Sequence, residues 1–143
     1  VCSSDLTTIA DLSRLAAAMV SGEGLSKASA AERVKPSFPI VNPHEFPATL
    51  TEIEPANARI GLAAGIGVVV FDGPQGHAFF KGGHNDITDN MLVCVERGRR
   101  CVLILTNSGV GQRIFPPLVE AALGETGMPW AWEYNPVKPV RAP

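Results

Sequence analysis

The residues of this chain best suited to chemistry lie in the stretch 79–90, F-F-K-G-G-H-N-D-I-T-D-N. There Lys81, Gly82, Gly83 and His84 stand between two apolar, strand-like runs. A lysine within an apolar strand costs desolvation free energy unless it is paired or faces a cleft. Adjacent glycines allow a backbone or a ligand to approach closely, because neither has a Cβ atom. The stretch is therefore predicted to form one wall of a site.

The composition of the chain is that of one globular domain. Its 143 residues are enough to bury a hydrophobic core. A net charge of −2 gives no indication of binding to nucleic acids or anionic membranes, so neither is expected as a partner. No apolar run approaches the ~20 residues of a transmembrane helix. No His or Cys spacing is typical of a zinc site, so neither a metal nor another cofactor is expected.

The two ends of the chain are expected to lie outside its folded part. The first six residues, V-C-S-S-D-L, read as a translated sequencing adapter, which indicates a non-native leader and a fragment truncated at its 5′ end. Residues 7–135 are predicted to form the domain and residues 136–143 a tail. Trp130 and Trp132 are expected to pack on the body and hold the C-terminus there.

Apolar residues recur at helical spacing over residues 7–21, which predicts an amphipathic helix. A shorter helix is predicted over 27–34, with Ser26 as its N-cap. The proline-rich segment 36–56 excludes regular helix and is interpreted as an extended surface loop. His44 lies in that loop and is expected to be solvated.

Four strand-like segments are predicted before a last helix. They cover residues 59–71, 77–81, 90–96 and 101–106. The short turns between them favour an antiparallel meander. The last two segments are apolar at nearly every position, which indicates a sheet covered on both faces. With the last helix predicted over 112–123, the expected fold class is α+β, an antiparallel sheet flanked by helices.

Two of the three cysteines are predicted to face each other across a hairpin. Cys94 and Cys101 flank Arg97-Gly98, which fits a two-residue turn, and counting outward from that turn pairs the two cysteines. Positions opposed in this way are close enough for a disulfide. Two reduced thiols in the core are nevertheless the favoured interpretation, because free cysteine behaves as a small buried hydrophobe.

Three short motifs stand in an order that resembles a known family. They are T-T-I-A-D-L-S-R-L in the first helix, K-G-G in the second strand of the meander, and L-T-N-S before the last helix. Together they resemble the C-terminal part of the serine β-lactamase and penicillin-binding-protein superfamily, above all its class C-like serine hydrolases and esterases. The resemblance extends from Thr7 to about Tyr134, and it implies a β-lactamase-like sandwich.

In that superfamily three motifs surround the cleft: Ser-x-x-Lys with the nucleophilic serine, Tyr-x-Asn or Ser-x-Asn, and Lys-Thr-Gly or a His-x-Gly relative. The resemblance matches Lys81-Gly82-Gly83 to the third motif. It implies that Lys81 supplies positive charge near the substrate carboxylate and that the following backbone runs alongside the substrate. His84 and Asn85 continue the same edge. Gly82 replaces the usual hydroxyl residue, a departure that weighs against β-lactam recognition.

The other two motifs are missing from the chain. No serine is followed by a lysine three positions later, and the only tyrosine, Tyr134, begins no Tyr-x-Asn. The resemblance therefore implies the substrate-binding wall of a serine hydrolase that cleaves an amide, lactam or ester through an acyl-enzyme. It implies no catalytic residue here, so the chain alone is expected to be inactive. Such hydrolases are usually exported or periplasmic.

Two other interpretations stay open. One is a non-catalytic binding module of the same fold, which Gly82 favours. The other is an unrelated small α+β domain that unfolds cooperatively on its own. His84 taken alone is more typical of a structural histidine than of an acid–base group. Asp86 and Asp89 are expected to be turn residues that cap backbone N–H groups.

Overall fold

The computed structural model describes residues 7–47 and 51–134. The predicted non-native leader, with Cys2, and the predicted tail lie outside the described residues, as do residues 48–50. The described chain is α+β, with a six-stranded antiparallel sheet and helices. None of the described helices is long and apolar enough to cross a membrane.

The sheet is a meander in which each strand pairs antiparallel with the next one along the chain. Its order confirms the antiparallel topology predicted from the short turns. Its strands are β1 (Phe38–Pro39), β2 (Ala63–Ala64), β3 (Val69–Gly73), β4 (Gly76–His84), β5 (Asp89–Val95) and β6 (Arg100–Leu105).

The prediction of one strand over residues 59–71 was wrong. The segment instead holds the end of helix α3 (Pro55–Arg59), the short β2 and the start of β3. Gly61 and Gly67 interrupt the apolar run, since both adopt positive φ angles of 60° and 73° that break a strand. The predicted loop 36–56 likewise contains β1 and the start of α3.

The first two helices form where their capping residues predict them. Helix α1 spans Ile9–Ser21, with Thr8 as its N-cap, and ends at Gly22, whose φ of 76° is left-handed. Helix α2 spans Lys27–Arg33, and the Ser26 hydroxyl accepts a hydrogen bond from the Ser29 N–H at 3.1 Å. These two predictions are confirmed.

The predicted helix 112–123 divides into two pieces. A 3-10 turn spans Gly111–Ile114, and helix α4 spans Phe115–Leu123. Two prolines follow Phe115 and fit in the first turn of α4, where no N–H donor is needed. A last short helix, α5, spans Trp130–Glu133.

The core lies on both faces of the sheet, as the apolar strands predict. On one face Val70, Phe79 and Cys94 pack with residues of α1, Met19 and Val20. On the other face the sheet packs against α4 and α5, through the buried residues Phe71, Phe80, Val93, Phe115, Val119 and Trp132.

The aromatic tail packs as predicted from its two tryptophans. The Trp132 ring is buried, with its centroid 6.0 Å from that of Phe80 in an edge-on arrangement. Trp130 is half-buried against the same cluster. The chain is therefore held against the sheet at α5.

A disulfide joins Cys94 and Cys101. The hairpin register predicted by counting is confirmed, because the two cysteines are paired directly across β5 and β6. The preference for two reduced thiols was wrong. The antiparallel register brings the two Cα atoms to 4.1 Å, so the thiols meet rather than packing separately.

The core predicts a large difference between two phenylalanine substitutions. Phe80→Ala should destabilise the chain by about 3–5 kcal/mol, because Phe80 is fully buried between Phe71 and Trp132. Phe38→Ala is the matched control and should change stability by less than about 0.5 kcal/mol, since Phe38 is 72% exposed. Urea denaturation measures both, and equal losses would contradict this core.

Candidate functional site

The predicted site stretch lies in the part of β4 that extends beyond β3. Strand β3 pairs with β4 only as far as Phe80, which faces Val69. Lys81 and the following residues to His84 pair with β5 alone among the described strands. One edge of this segment, here called the β4 extension (residues 81–84), therefore has no strand beside it in the described chain.

The β4 extension divides its side chains between the two faces of the sheet. Phe79 belongs to the core beneath α1, whereas Phe80 belongs to the core beneath α4 and α5. Because side chains alternate along a strand, Lys81 lies on the α1 face and His84 lies on the opposite face. The structure thus brings the predicted site residues to one strand but not into one cavity.

Lys81 lines a groove between the sheet and α1, here called the α1 groove. The groove has a volume of about 430 Å³, and Gly82 and Gly83 contribute backbone to it. Its other walls are mostly apolar, formed by residues of α1, β5 and β6 that include Leu12, Leu15, Met19, Leu92, Leu103 and Leu105. Lys81 is exposed, so its ammonium group is the cation at an apolar groove.

His84 and Asn85 line a second cavity on the other face, here called the α5 cleft, of about 220 Å³. The His84 ring lies between two aromatic rings, 6.4 Å from Phe46 and 6.0 Å from Tyr134 between centroids. The remaining lining residues are Asp89, Gly109, Gln112, Trp132 and Glu133.

Two polar residues beside the α5 cleft hold the backbone in place. Asn85 Oδ1 accepts hydrogen bonds from the N–H groups of Ile87 and Thr88, each at 2.9 Å. Asp89 is buried, and its Oδ2 accepts from the Gln112 N–H at 3.1 Å, at the 3-10 turn. The prediction that Asp89 caps backbone N–H groups is confirmed. Within residues 7–47 and 51–134, Asp86 caps none.

The segment around His44 is attached to α5. His44 Nδ1 lies 2.9 Å from the Ala131 carbonyl oxygen, and the Glu45 N–H donates to the Trp132 carbonyl oxygen at 2.9 Å. His44 is half-buried, so the expectation of a solvated side chain was wrong. The proline-rich chain follows α5 because its backbone donors and acceptors find partners there.

Glu133 is the residue of this region that sequence reasoning missed. It is 7% exposed and lies in α5, where its carboxylate approaches Glu45 and His84. One carboxylate oxygen of each glutamate and one ring nitrogen of His84 all lie within 4.8 Å of one another. The only sequence signal is an acidic residue between two aromatic residues, W-E-Y, in an otherwise apolar tail.

Burial governs the electrostatics of this cluster. It raises the pKa of Glu133 to about 7, and the nearby Glu45 carboxylate adds to that increase. The positive charge of Lys81 acts in the opposite direction. The pKa of Tyr134 is also raised, first by burial and then by Glu133, Asp89 and Glu45. The Tyr134 phenol therefore stays protonated and donates to the Asn90 carbonyl oxygen at 3.4 Å.

Glu133 also explains why residue 82 is a glycine. A Cβ atom built on Gly82 would occupy the place of Glu133 Oε1. The neighbouring Gly83 is open, because a Cβ atom there would meet nothing within 4 Å. Gly82 therefore accommodates a contact on the α5 side, opposite the face on which Lys81 lies.

The raised pKa of Glu133 predicts a pH dependence of stability. Between its ordinary pKa of 4.5 and about 7, the folded chain binds more protons at Glu133 than the unfolded chain does. The free energy of unfolding of the wild-type chain should therefore fall as the pH rises through this window. The fall should be smaller for Glu133→Gln, which has no carboxylate at this position. Urea denaturation across the window in the presence of EDTA measures this, with Glu120→Gln, an exposed change, as control. Parallel profiles for wild type and Glu133→Gln would contradict it.

A threonine at position 82 tests the contact with Glu133. Gly82→Thr should destabilise the chain by about 1–3 kcal/mol, because the new side chain must displace a buried carboxylate. Gly83→Thr is the matched control and should have a much smaller effect. The double variant Gly82→Thr with Glu133→Ala should recover most of the loss. Additive effects in this double-mutant cycle would show that the two residues do not touch.

Comparison with known proteins does not assign the chain to a family. No family model, no curated protein and no solved structure matches it. Its function therefore has to be argued from the two cavities and from the residues that line them.

Proposed function

We propose that this chain is the C-terminal part of a serine hydrolase related to the β-lactamases and penicillin-binding proteins. In this proposal the α+β sheet is one layer of a β-lactamase-like sandwich. The β4 extension is the wall along which an amide, lactam or ester substrate binds before it acylates a serine. Lys81, Gly82 and Gly83 correspond to the third motif of that superfamily.

The observation that carries the proposal is the uncovered edge of the β4 extension. Backbone N–H and C=O groups along such an edge can bind an extended substrate as an added strand. An N–H group of the same edge, held rigid by pairing with β5, is suited to stabilise the oxyanion of a tetrahedral intermediate. The two glycines leave room for the substrate backbone at this edge.

Lys81 supports the proposal through its position. Its ammonium group is exposed at the α1 groove and forms no ion pair with the described residues. A lysine is a compact point charge, suited to attract a substrate carboxylate. The apolar wall beside it fits the hydrocarbon part of a small acyl substrate.

The nucleophile of the proposed enzyme lies outside this sequence, because the chain holds no Ser-x-x-Lys. The apolar residues around the α1 groove suit this arrangement. Leu15 is 54% exposed and Leu105 is 40% exposed, and both line the groove. Exposed apolar side chains grouped in this way mark a surface that another segment covers.

A second candidate function is a non-catalytic binding module of the same fold. It is favoured by the Glu133 carboxylate, which lies against Gly82 at the position that carries a hydroxyl residue in the third motif. A carboxylate there repels an anionic substrate whenever it is ionised. In the binding module, the longer polypeptide has no serine at the nucleophile position.

The test uses the longer polypeptide encoded when the reading frame is followed upstream of this sequence. A fluorophosphonate probe and a fluorescent penicillin should label one serine in it, and neither should label the 143-residue chain. In the longer protein, Lys81→Ala should lower kcat/KM by about 100-fold, measured with an ester or lactam substrate of the kind whose probe labels the serine. Loss of one transition-state contact has an effect of this size. Lys27→Ala, an exposed change on α2, should leave kcat/KM unchanged. An intact longer protein that neither probe labels would contradict the hydrolase and favour the binding module.

A further inference from the structure

We propose that Glu45, His84 and Glu133 form a zinc site in the α5 cleft. The three residues come from different parts of the fold: the proline-rich segment, the end of β4, and α5. Each offers one ligand atom; His84 and Glu133 line the α5 cleft, and Glu45 lies close to both of them. The site is on the sheet face opposite Lys81, so it does not rest on the proposed hydrolase.

The geometry of the cluster is close to that of a zinc site. The three ligand atoms lie within 4.8 Å of one another. A tetrahedral zinc ion with bonds of about 2.0–2.1 Å separates its ligands by about 3.3–3.5 Å. Closing the difference requires rotation about the side-chain bonds of Glu45 and His84, which are less buried than Glu133.

Glu133 is the strongest indication of a missing ligand. The residue is 7% exposed, and no described residue donates a hydrogen bond to its carboxylate or forms an ion pair with it, although neither oxygen is a fully buried atom without a partner. Its carboxylate lies close to that of Glu45, an arrangement that is unfavourable when both are ionised unless a cation lies between them. A divalent ion supplies the missing partner to both carboxylates.

The surrounding contacts position the parts of the chain that carry the ligands. The Glu45 N–H donates to the Trp132 carbonyl oxygen, next to Glu133, at 2.9 Å. The centroid of the His84 ring lies 6.4 Å from that of Phe46 and 6.0 Å from that of Tyr134. Such supporting contacts orient metal ligands and raise affinity.

Two of the residues that line the cleft have a buried polar atom without a partner among the described residues, Gln112 Oε1 and Trp132 Nε1. Gln112 Oε1 is buried and has no hydrogen-bond donor among the described residues. As an acceptor, it suits a water molecule bound at the open fourth position of the metal. This arrangement, three protein ligands and one water, is that of zinc sites with an open position.

The ligand set favours zinc over the alkaline-earth ions. One imidazole with two carboxylates matches the mixed nitrogen and oxygen ligands of zinc. Calcium takes about 6–8 oxygen ligands, and magnesium keeps most of its waters in a near-octahedral shell. The cluster offers two carboxylates and an aromatic nitrogen, which is too few oxygen atoms for calcium.

The test measures zinc binding to the full chain, with Cys2 changed to serine so that its thiol does not compete. Zinc should raise the Tm in a concentration-dependent way, whereas magnesium and calcium should not. Cobalt(II) in place of zinc should give the visible absorption bands of a four-coordinate site, a direct readout that does not depend on stability. Displacement of cobalt by zinc then gives the zinc Kd.

Three variants assign the ligands: Glu45→Gln, His84→Gln and Glu133→Gln. Each should raise the zinc Kd by about 100-fold or more, since loss of even a supporting contact costs 10–100-fold. His77→Gln is the matched control. The His77 ring nitrogens form hydrogen bonds with Asp72 and with the Val34 carbonyl oxygen, away from the α5 cleft. No cobalt bands in the parent chain, or equal Kd values in the three variants and the control, would overturn the proposal.

Discussion

The two-residue alternation of side chains along β4 is the constraint on which the rest of the structure depends. Because of it, Phe79 lies in the core beneath α1 and Phe80 lies in the core beneath α4 and α5. Strand β4 continues beyond its last pair with β3. There the same alternation places Lys81 and His84 on opposite faces of the sheet. The first half of β4 is therefore buried on both faces, and its second half lines a different cavity on each face.

The α5 cleft shows how one buried carboxylate shapes its surroundings. The Glu133 carboxylate occupies the space that a side chain at position 82 would take, so a larger residue there must displace it. Burial and the nearby Glu45 both work against ionisation of Glu133. A buried acid in this setting either holds its proton or binds a cation, and the two outcomes give the cleft different chemistry.

Much of the fold could be predicted because its signals are local. The stripe and caps of α1, and the register of Cys94 with Cys101, follow from residues a few positions apart. The missed elements are short and depend on partners. Strand β1 has two residues and is defined by its pairing with β2. Two residues are too few to show the alternation of apolar and polar positions that identifies a strand. Bonding between the two cysteines likewise depended on how closely the strands approach.

The sequence by itself determined the first two helices, the antiparallel order of β3 to β6 and the position of Lys81-Gly82-Gly83 within a strand. Only the tertiary structure decided that Lys81 and His84 line different cavities, and that the side chains of Glu45, His84 and Glu133 lie close together. The physical reason is that spacing along a chain fixes which side chains share a face of one element. Contacts between distant elements depend on how the helices and the proline-rich segment pack against the sheet, and no local spacing records that.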